Sequence, residues 1–213
     1  MVNFEELIQG YRRFRNTGWT AQRERWSELS TGQHPKVLVI ACSDSRVDPS
    51  QIFDVSPGEI FVVRNVAALV PPFEEDDGFH GVSAALEFAV TQLEVEEIVV
   101  MGHGLCGGCH AALSGDFKDA KPGEGGFIGR WIALLDGARE KVRSKFGDDQ
   151  SMEALHALEF EAVKTSLTNL RTFPFVTKRE DGKSLKIFGA WFGIDDGLLH
   201  VLNEENGEFP TVS

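Results

Sequence analysis

Basic residues are in short supply. Lysine and arginine number 21 against 33 aspartates and glutamates, a net charge of −12. Nucleic acid and anionic membrane surfaces are gripped by clustered cations, so neither is expected as a partner. Long apolar runs are missing too, and none approaches the length of a membrane span. The start, Met1-Val2-Asn3-Phe4-Glu5-Glu6, has no basic or apolar stretch and is read as neither a signal nor a transit peptide. Cysteine is limited to Cys42, Cys106 and Cys109. An odd, small number argues against a disulfide framework and for a reducing, cytoplasmic setting, with cysteine used for metal binding or catalysis.

The 213 residues suit one sizeable α/β domain. Within it, 1–32 reads as an N-terminal helical arm and 33–213 as the core. Phe4, Leu7, Ile8, Tyr11 and Phe14 make a helical stripe, and a second helix is expected over 20–29. The arm either covers its own core or lies on a second subunit. Strands are expected at 36–43, 59–64, 97–102 and 185–194. Helices are expected at 78–93, from Cys109, at 127–146 and at 149–170. Asp195-Asp196-Gly197 is a hairpin turn into 198–203. This alternation predicts a mostly parallel central sheet with an antiparallel edge hairpin, flanked by helices. Glu74-Glu75-Asp76-Asp77 reads as a solvated loop.

The chemistry gathers at two strand ends. Val37-Leu38-Val39-Ile40-Ala41 runs into Cys42-Ser43-Asp44-Ser45-Arg46, and Ile98-Val99-Val100-Met101-Gly102 runs into His103-Gly104-Leu105-Cys106. Ligands of open α/β sheets bind at the carboxyl ends of strands. Parallel neighbours would bring Cys42 beside His103 and Cys106. Two thiolates and an imidazole suit zinc, and three protein ligands leave a fourth position open, as in catalytic sites. Gly107 and Gly108 then serve a tight turn of positive φ, or free backbone N–H groups for an anion, or both. Asp44 and Arg46 would share one face of an extended chain. The arginine would keep the carboxylate ionised, and the carboxylate would either orient a reactive oxygen on the metal or occupy the open position itself.

Two other patterns compete. Cys106-Gly107-Gly108-Cys109-His110 spells both C-x-x-C and the c-type haem attachment pattern. Haem would leave Cys42, Asp44 and Arg46 without a role, and Cys109 reads better as a small buried side chain. A phosphatase reading of Cys42 wants an arginine six positions on, where Asp48 stands. A zinc-binding or redox protein without enzymatic activity is the alternative of another class.

Cys42-Ser43-Asp44-Ser45-Arg46 and Gly102-His103-Gly104-Leu105-Cys106-Gly107-Gly108 together resemble the β-class carbonic anhydrases, in their plant-type subgroup. The similarity runs from about Gln33 to the terminal hairpin and includes Pro57-Gly58-Glu59, Val63-Arg64-Asn65-Val66-Ala67 and Thr172-Phe173-Pro174-Phe175-Val176. The resemblance implies a lyase, reversibly hydrating CO₂ to bicarbonate and a proton through zinc-bound hydroxide. It implies one Zn²⁺ per chain on Cys42, His103 and Cys106, with Asp44 and Arg46 as the catalytic dyad. It implies a bicarbonate and CO₂ pocket of Gln33, the Gly107 N–H, Phe61, Val66 and Phe88, part of it supplied by a neighbouring subunit. It also implies a homodimer or a dimer-based higher oligomer whose amino-terminal helices cross onto the partner. Phe88 stands where plant-type members often carry tyrosine. Gln92 stands where some relatives carry a histidine proposed for proton transfer. Val39 and Ala41 replace the tryptophan and glycine of the bicarbonate-inhibited group, so an open, plant-like site is expected. CS₂ or COS hydrolysis is the nearest enzymatic alternative.

Overall fold

A computed structural model describes residues 2–212. By its internal contacts the chain divides after His34 into two units.

In the amino-terminal unit, α1 (Phe4–Asn16) opens on a capping box. Asn3 Oδ1 accepts the Glu6 N–H at 3.0 Å, and Glu6 Oε2 accepts the Asn3 N–H at 2.9 Å. Glu5 and Glu6 at its start and Arg13 and Arg15 at its end complement the helix dipole. Its apolar stripe is bare: Phe4, Leu7 and Tyr11 are exposed. The single helix expected over 20–29 is in fact two, α2 (Gly18–Ala21) and α3 (Arg23–Leu29). Gln22 leaves helical backbone between them, at φ −109° and ψ 27°. Trp26 of α3 packs edge-on against Phe14, with ring centroids 6.0 Å apart.

The second unit runs β1 (Val37–Cys42), α4 (Pro49–Ile52), β2 (Ile60–Asn65), α5 (Gly81–Glu87), β3 (Glu97–His103), α6 (Gly107–Ser114), α7 (Gly126–Ile132), α8 (Asp136–Phe146), α9 (Met152–Leu170), α10 (Pro174–Asp181), β4 (Lys186–Phe192) and β5 (Leu199–Val201). The sheet order is β2-β1-β3-β4-β5. The first four strands are parallel, and β5 pairs antiparallel with β4, as the hairpin turn predicts. Central β1 is buried from Leu38 to Cys42. That is why it reads as an unbroken apolar run rather than an alternating one.

Local capping accounts for the boundaries that differ from expectation. The helix expected over 78–93 starts at Gly81 and ends in a π-helical turn, Phe88–Gln92. Asp76 accepts from the Gly78 N–H and pairs with His80, holding that loop out of the helix. The helix expected over 127–146 is interrupted by a 3₁₀ turn at Ala133–Leu135. Ser151 caps α9, which therefore begins at Met152. Two short helices were not expected: Asp48 caps α4 ahead of Pro49, and Pro174 opens α10.

Candidate active site

β1 and β3 are hydrogen-bonded neighbours with Ala41 opposite Met101, so their carboxyl ends lie side by side. One donor atom each from Cys42, His103 and Cys106 lies within 4.8 Å of the other two, and all three residues are buried. The His103 Nδ1 sits 2.8 Å from the Gly104 carbonyl. A carbonyl only accepts, so Nδ1 carries the proton and Nε2 presents a lone pair. Nε2 is buried and has no hydrogen-bond partner. A buried acceptor left unpaired is costly, and a metal ion beside two cysteines would satisfy it. Contact with the Cys106 thiol, reinforced by burial, pushes Cys42 up to about 12. Cys106 is pushed up further, by the Cys109 thiol first and by burial. Such thiols are inert alone and ionise on a divalent cation. The donor set fits zinc.

Asp44 and Arg46 do meet, by a route other than the expected strand alternation. The chain leaves the strand at Ser43 and turns, with Val47 N–H on Asp44 O at 3.2 Å. The Arg46 N–H and Nε donate to Asp44 Oδ1 at 3.0 and 2.9 Å, and Nη2 donates to Oδ2 at 2.7 Å. These bonds hold the Asp44 carboxyl well below the usual carboxylate range. Arg46 Nη2 also reaches the Leu105 carbonyl at 3.0 Å, tying the two motif loops together.

Gly107 opens α6 directly after Cys106, and a side chain there would meet nothing within 4 Å. Gly108 is different: a Cβ would come within 2.7 Å of Val66. Neither glycine has positive φ; Leu105 takes the left-handed conformation instead, at 57°. Of the remaining pocket residues, Val66 lies against Gly108. Phe61 and Phe88 pair with centroids 5.9 Å apart. Phe61 stands opposite Leu38, toward the other end of β1 from Cys42. Gln33 belongs to the amino-terminal unit.

Three residues that sequence reasoning passed over support the site. Arg64 Nε donates to the Cys42 carbonyl at 2.9 Å, Nη2 to the Asp44 carbonyl at 2.7 Å and Nη1 to Asp48 Oδ2 at 3.0 Å. Glu159 is 1 % exposed. It accepts the Cys106 N–H at 2.9 Å and the Trp191 indole N–H at 3.1 Å, and burial raises its carboxyl to about 7. A signal existed for Glu159, a charge amid the buried stripe Leu155, Leu158, Ala162 and Val163 of α9. Nothing local marked Arg64 or Trp191, whose partners lie 16 or more residues away.

A second cluster, Glu74, Asp76 and His80, also has donors within 4.8 Å of one another. It lies on the loop ahead of α5, its two acids are exposed, and His80 already pairs with Asp76 at 2.6 Å. A cavity of about 750 Å³ is lined by Val66, Pro72, Phe79, Phe127 and Trp131 among others, and not by the three clustered ligands.

The chain belongs to the carbonic anhydrase family, whose model, described as carbonic anhydrase, matches residues 37–199. Within it the chain is an enzyme of the β class. It is 34 % identical over 204 residues to a carbonic anhydrase of Synechococcus elongatus, spanning 95 % of this chain and 73 % of that one. The structure of the β-carbonic anhydrase CcaA superposes with a TM-score of 0.89 at 30 % identity, covering 98 % of this chain and 92 % of that one. One of two tetrameric β-carbonic anhydrases from Sordaria macrospora gives 0.82 at 25 % identity, covering 99 % and 98 %. Among the described residues, no helix is long and apolar enough to cross a membrane.

Proposed function

We propose that this enzyme hydrates CO₂ reversibly to bicarbonate and a proton, using one zinc ion per chain held by Cys42, His103 and Cys106. The observation that carries this is the His103 Nε2 lone pair, buried and unpartnered beside two cysteines. Zinc bound there would supply Lewis acidity, lowering the pKa of water so that a nucleophile exists at moderate pH.

The chain's own groups do the rest. Arg46 keeps Asp44 ionised and fixes its plane through three hydrogen bonds. The carboxylate is then a pure acceptor, able to take a hydrogen bond from the attacking oxygen and aim that oxygen's free lone pair at carbon. Because Arg46 engages both carboxylate oxygens, Asp44 would be kept from joining Cys42, His103 and Cys106 as a metal ligand, which favours the open, plant-like form. The Gly107 N–H, at a helix start with open space beside it, receives the negative charge that develops on the substrate oxygen. Val66 gives CO₂ an apolar wall. Phe61 and Phe88 complete the bicarbonate pocket by reaching the site of a neighbouring subunit.

The working unit is a homodimer or a dimer-based higher oligomer. Phe4, Leu7 and Tyr11 on α1, and Phe79, Phe88 and Phe127 on the core, are exposed. Apolar exposure on this scale marks association surfaces. We assign residues 1–32 to an arm that lies on the partner, 33–213 to a single catalytic core, and the protein to the cytoplasm.

The test is a CO₂-hydration assay joined to metal analysis. About one zinc per chain, with hydration lost in Asp44→Asn while zinc is kept, is the expected result. Zinc without hydration would point to a binding module, and preferential turnover of CS₂ or COS would reassign the substrate.

A further inference from the structure

The segment Cys106-Gly107-Gly108-Cys109 carries a second thiol that this reaction does not use. Cys106 is the residue that starts α6, and Cys109 is the third residue inside it. Side chains at those two positions face each other across the first helical turn, as they do in a capping box. The two residues between are glycines, so no side chain separates the sulfurs. The Cys109 thiol is also the first cause of the rise in Cys106. Both are 2 % exposed and share one apolar cluster with Cys42. All three are free thiols, and Cys109 is not among the clustered metal donors.

We propose that Cys106 and Cys109 form a peroxide-responsive pair, in which Cys109 is the resolving thiol that rescues the metal ligand Cys106 from irreversible oxidation. This rests on the reading of Cys106 as a zinc ligand. In the first step the Cys106 thiolate attacks hydrogen peroxide. The O–O bond breaks, hydroxide leaves, and the sulfur, oxidised by two electrons, becomes a sulfenic acid. In the second step the Cys109 sulfur attacks the sulfenic sulfur. The S–S bond forms, the S–O bond breaks, and water departs with the Cys109 proton. One thiolate, one thiol and one peroxide thus yield a disulfide, one hydroxide and one water. Burial selects the oxidant: a site that admits CO₂ admits peroxide, whereas a bulky disulfide such as oxidised glutathione has no line to sulfurs that are 2 % exposed. The disulfide sulfur is no longer an anionic ligand, so zinc leaves. A dithiol reductant restores the pair.

The experiment exposes the zinc-loaded enzyme to hydrogen peroxide and follows zinc with a chromogenic chelator, then maps thiols by mass. Expected is zinc release in step with a peptide holding Cys106 and Cys109 that is two hydrogens lighter, while Cys42 stays alkylatable. Dithiothreitol and zinc should then restore the metal content. Cys109→Ala should bind zinc normally before oxidation. Afterwards its Cys106 should gain two or three oxygens, with metal recovery reduced about fivefold. Cys109→Ser, closer in volume, should behave the same way. A disulfide joining Cys42 to Cys106, or Cys109 variants that recover as fully as the parent, would overturn the proposal. Absence of zinc before oxidation would overturn the ligand reading instead, and the thiol map would still decide the pair.

Discussion

The carboxylate of Glu159 lies directly beneath Cys106, accepting its backbone N–H at 2.9 Å across 53 residues of chain. The same carboxylate takes the Trp191 indole N–H, so one buried group sets both the start of α6 and the end of β4. Glu159→Leu would strand two buried donors, at about 1–3 kcal/mol each. Thermal unfolding should show Tm lower by roughly 5–15 °C for a chain of this size, with Glu159→Gln losing much less. An unchanged midpoint in the leucine variant would mean that Glu159 does not hold the site.

Arg46 is the only cation that pairs with Asp44 among the described residues. Replacing it with alanine frees the carboxylate to swing toward the metal. We expect Arg46→Ala and Asp44→Asn each to lower kcat/KM by about 100-fold or more, the scale of losing one oriented group at a reacting centre, with zinc content unchanged in both. Near-parental turnover in Arg46→Ala would sink the orienting role.

Arg64 acts one layer further out. Its guanidinium grips the carbonyls of Cys42 and Asp44 together with Asp48, and so sets the path of the whole turn. Arg64→Leu leaves those carbonyls unpaired, and Arg64→Lys cannot bridge them with one point charge. Both variants should bind zinc more weakly, by about tenfold or more, on the pattern of groups that orient metal ligands. Competition with a chelator of known affinity measures this. Parental zinc affinity in both variants contradicts it.

Stripping the metal offers an independent check. If zinc joins Cys42, His103 and Cys106, dipicolinate treatment should abolish hydration and lower Tm, and added Zn²⁺ should restore both. The activity of the loaded enzyme should also climb through mildly alkaline pH, because two thiolates offset the metal's charge and leave its water less acidic than a three-histidine site would. A hydration profile flat from about pH 6 to about pH 9 would contradict this.

The bare stripe of α1 makes the assembly testable. Sedimentation of the parent should show a dimer or larger species. Replacing Phe4, Leu7 and Tyr11 with glutamate should shift it toward monomer, while α1 itself persists because the capping box is untouched and glutamate is a good helix former. A parent that sediments as a monomer would remove the arm from the reading.

The sequence by itself determined the sheet and the reactive strand ends. The signals there are local and strong: unbroken apolar runs, a D-G turn, and Cys42 and His103 closing the strands that β1 and β3 became. The family followed from two motifs in order. Tertiary structure decided how the pieces meet. Alternation along an extended strand was the wrong reason for Asp44 and Arg46 to share a face; a turn after Ser43 brings them together. Glycine was the wrong place to look for positive φ, since the loop puts Leu105 there. The roles of Trp191 and Arg64 escaped notice because a hydrogen bond between segments far apart in sequence leaves no periodic trace in the chain, and the charge in the apolar stripe that marked Glu159 did not name its partners. Composition and spacing report what a segment buries, whereas the partner of a buried polar group is set by packing between segments far apart in sequence.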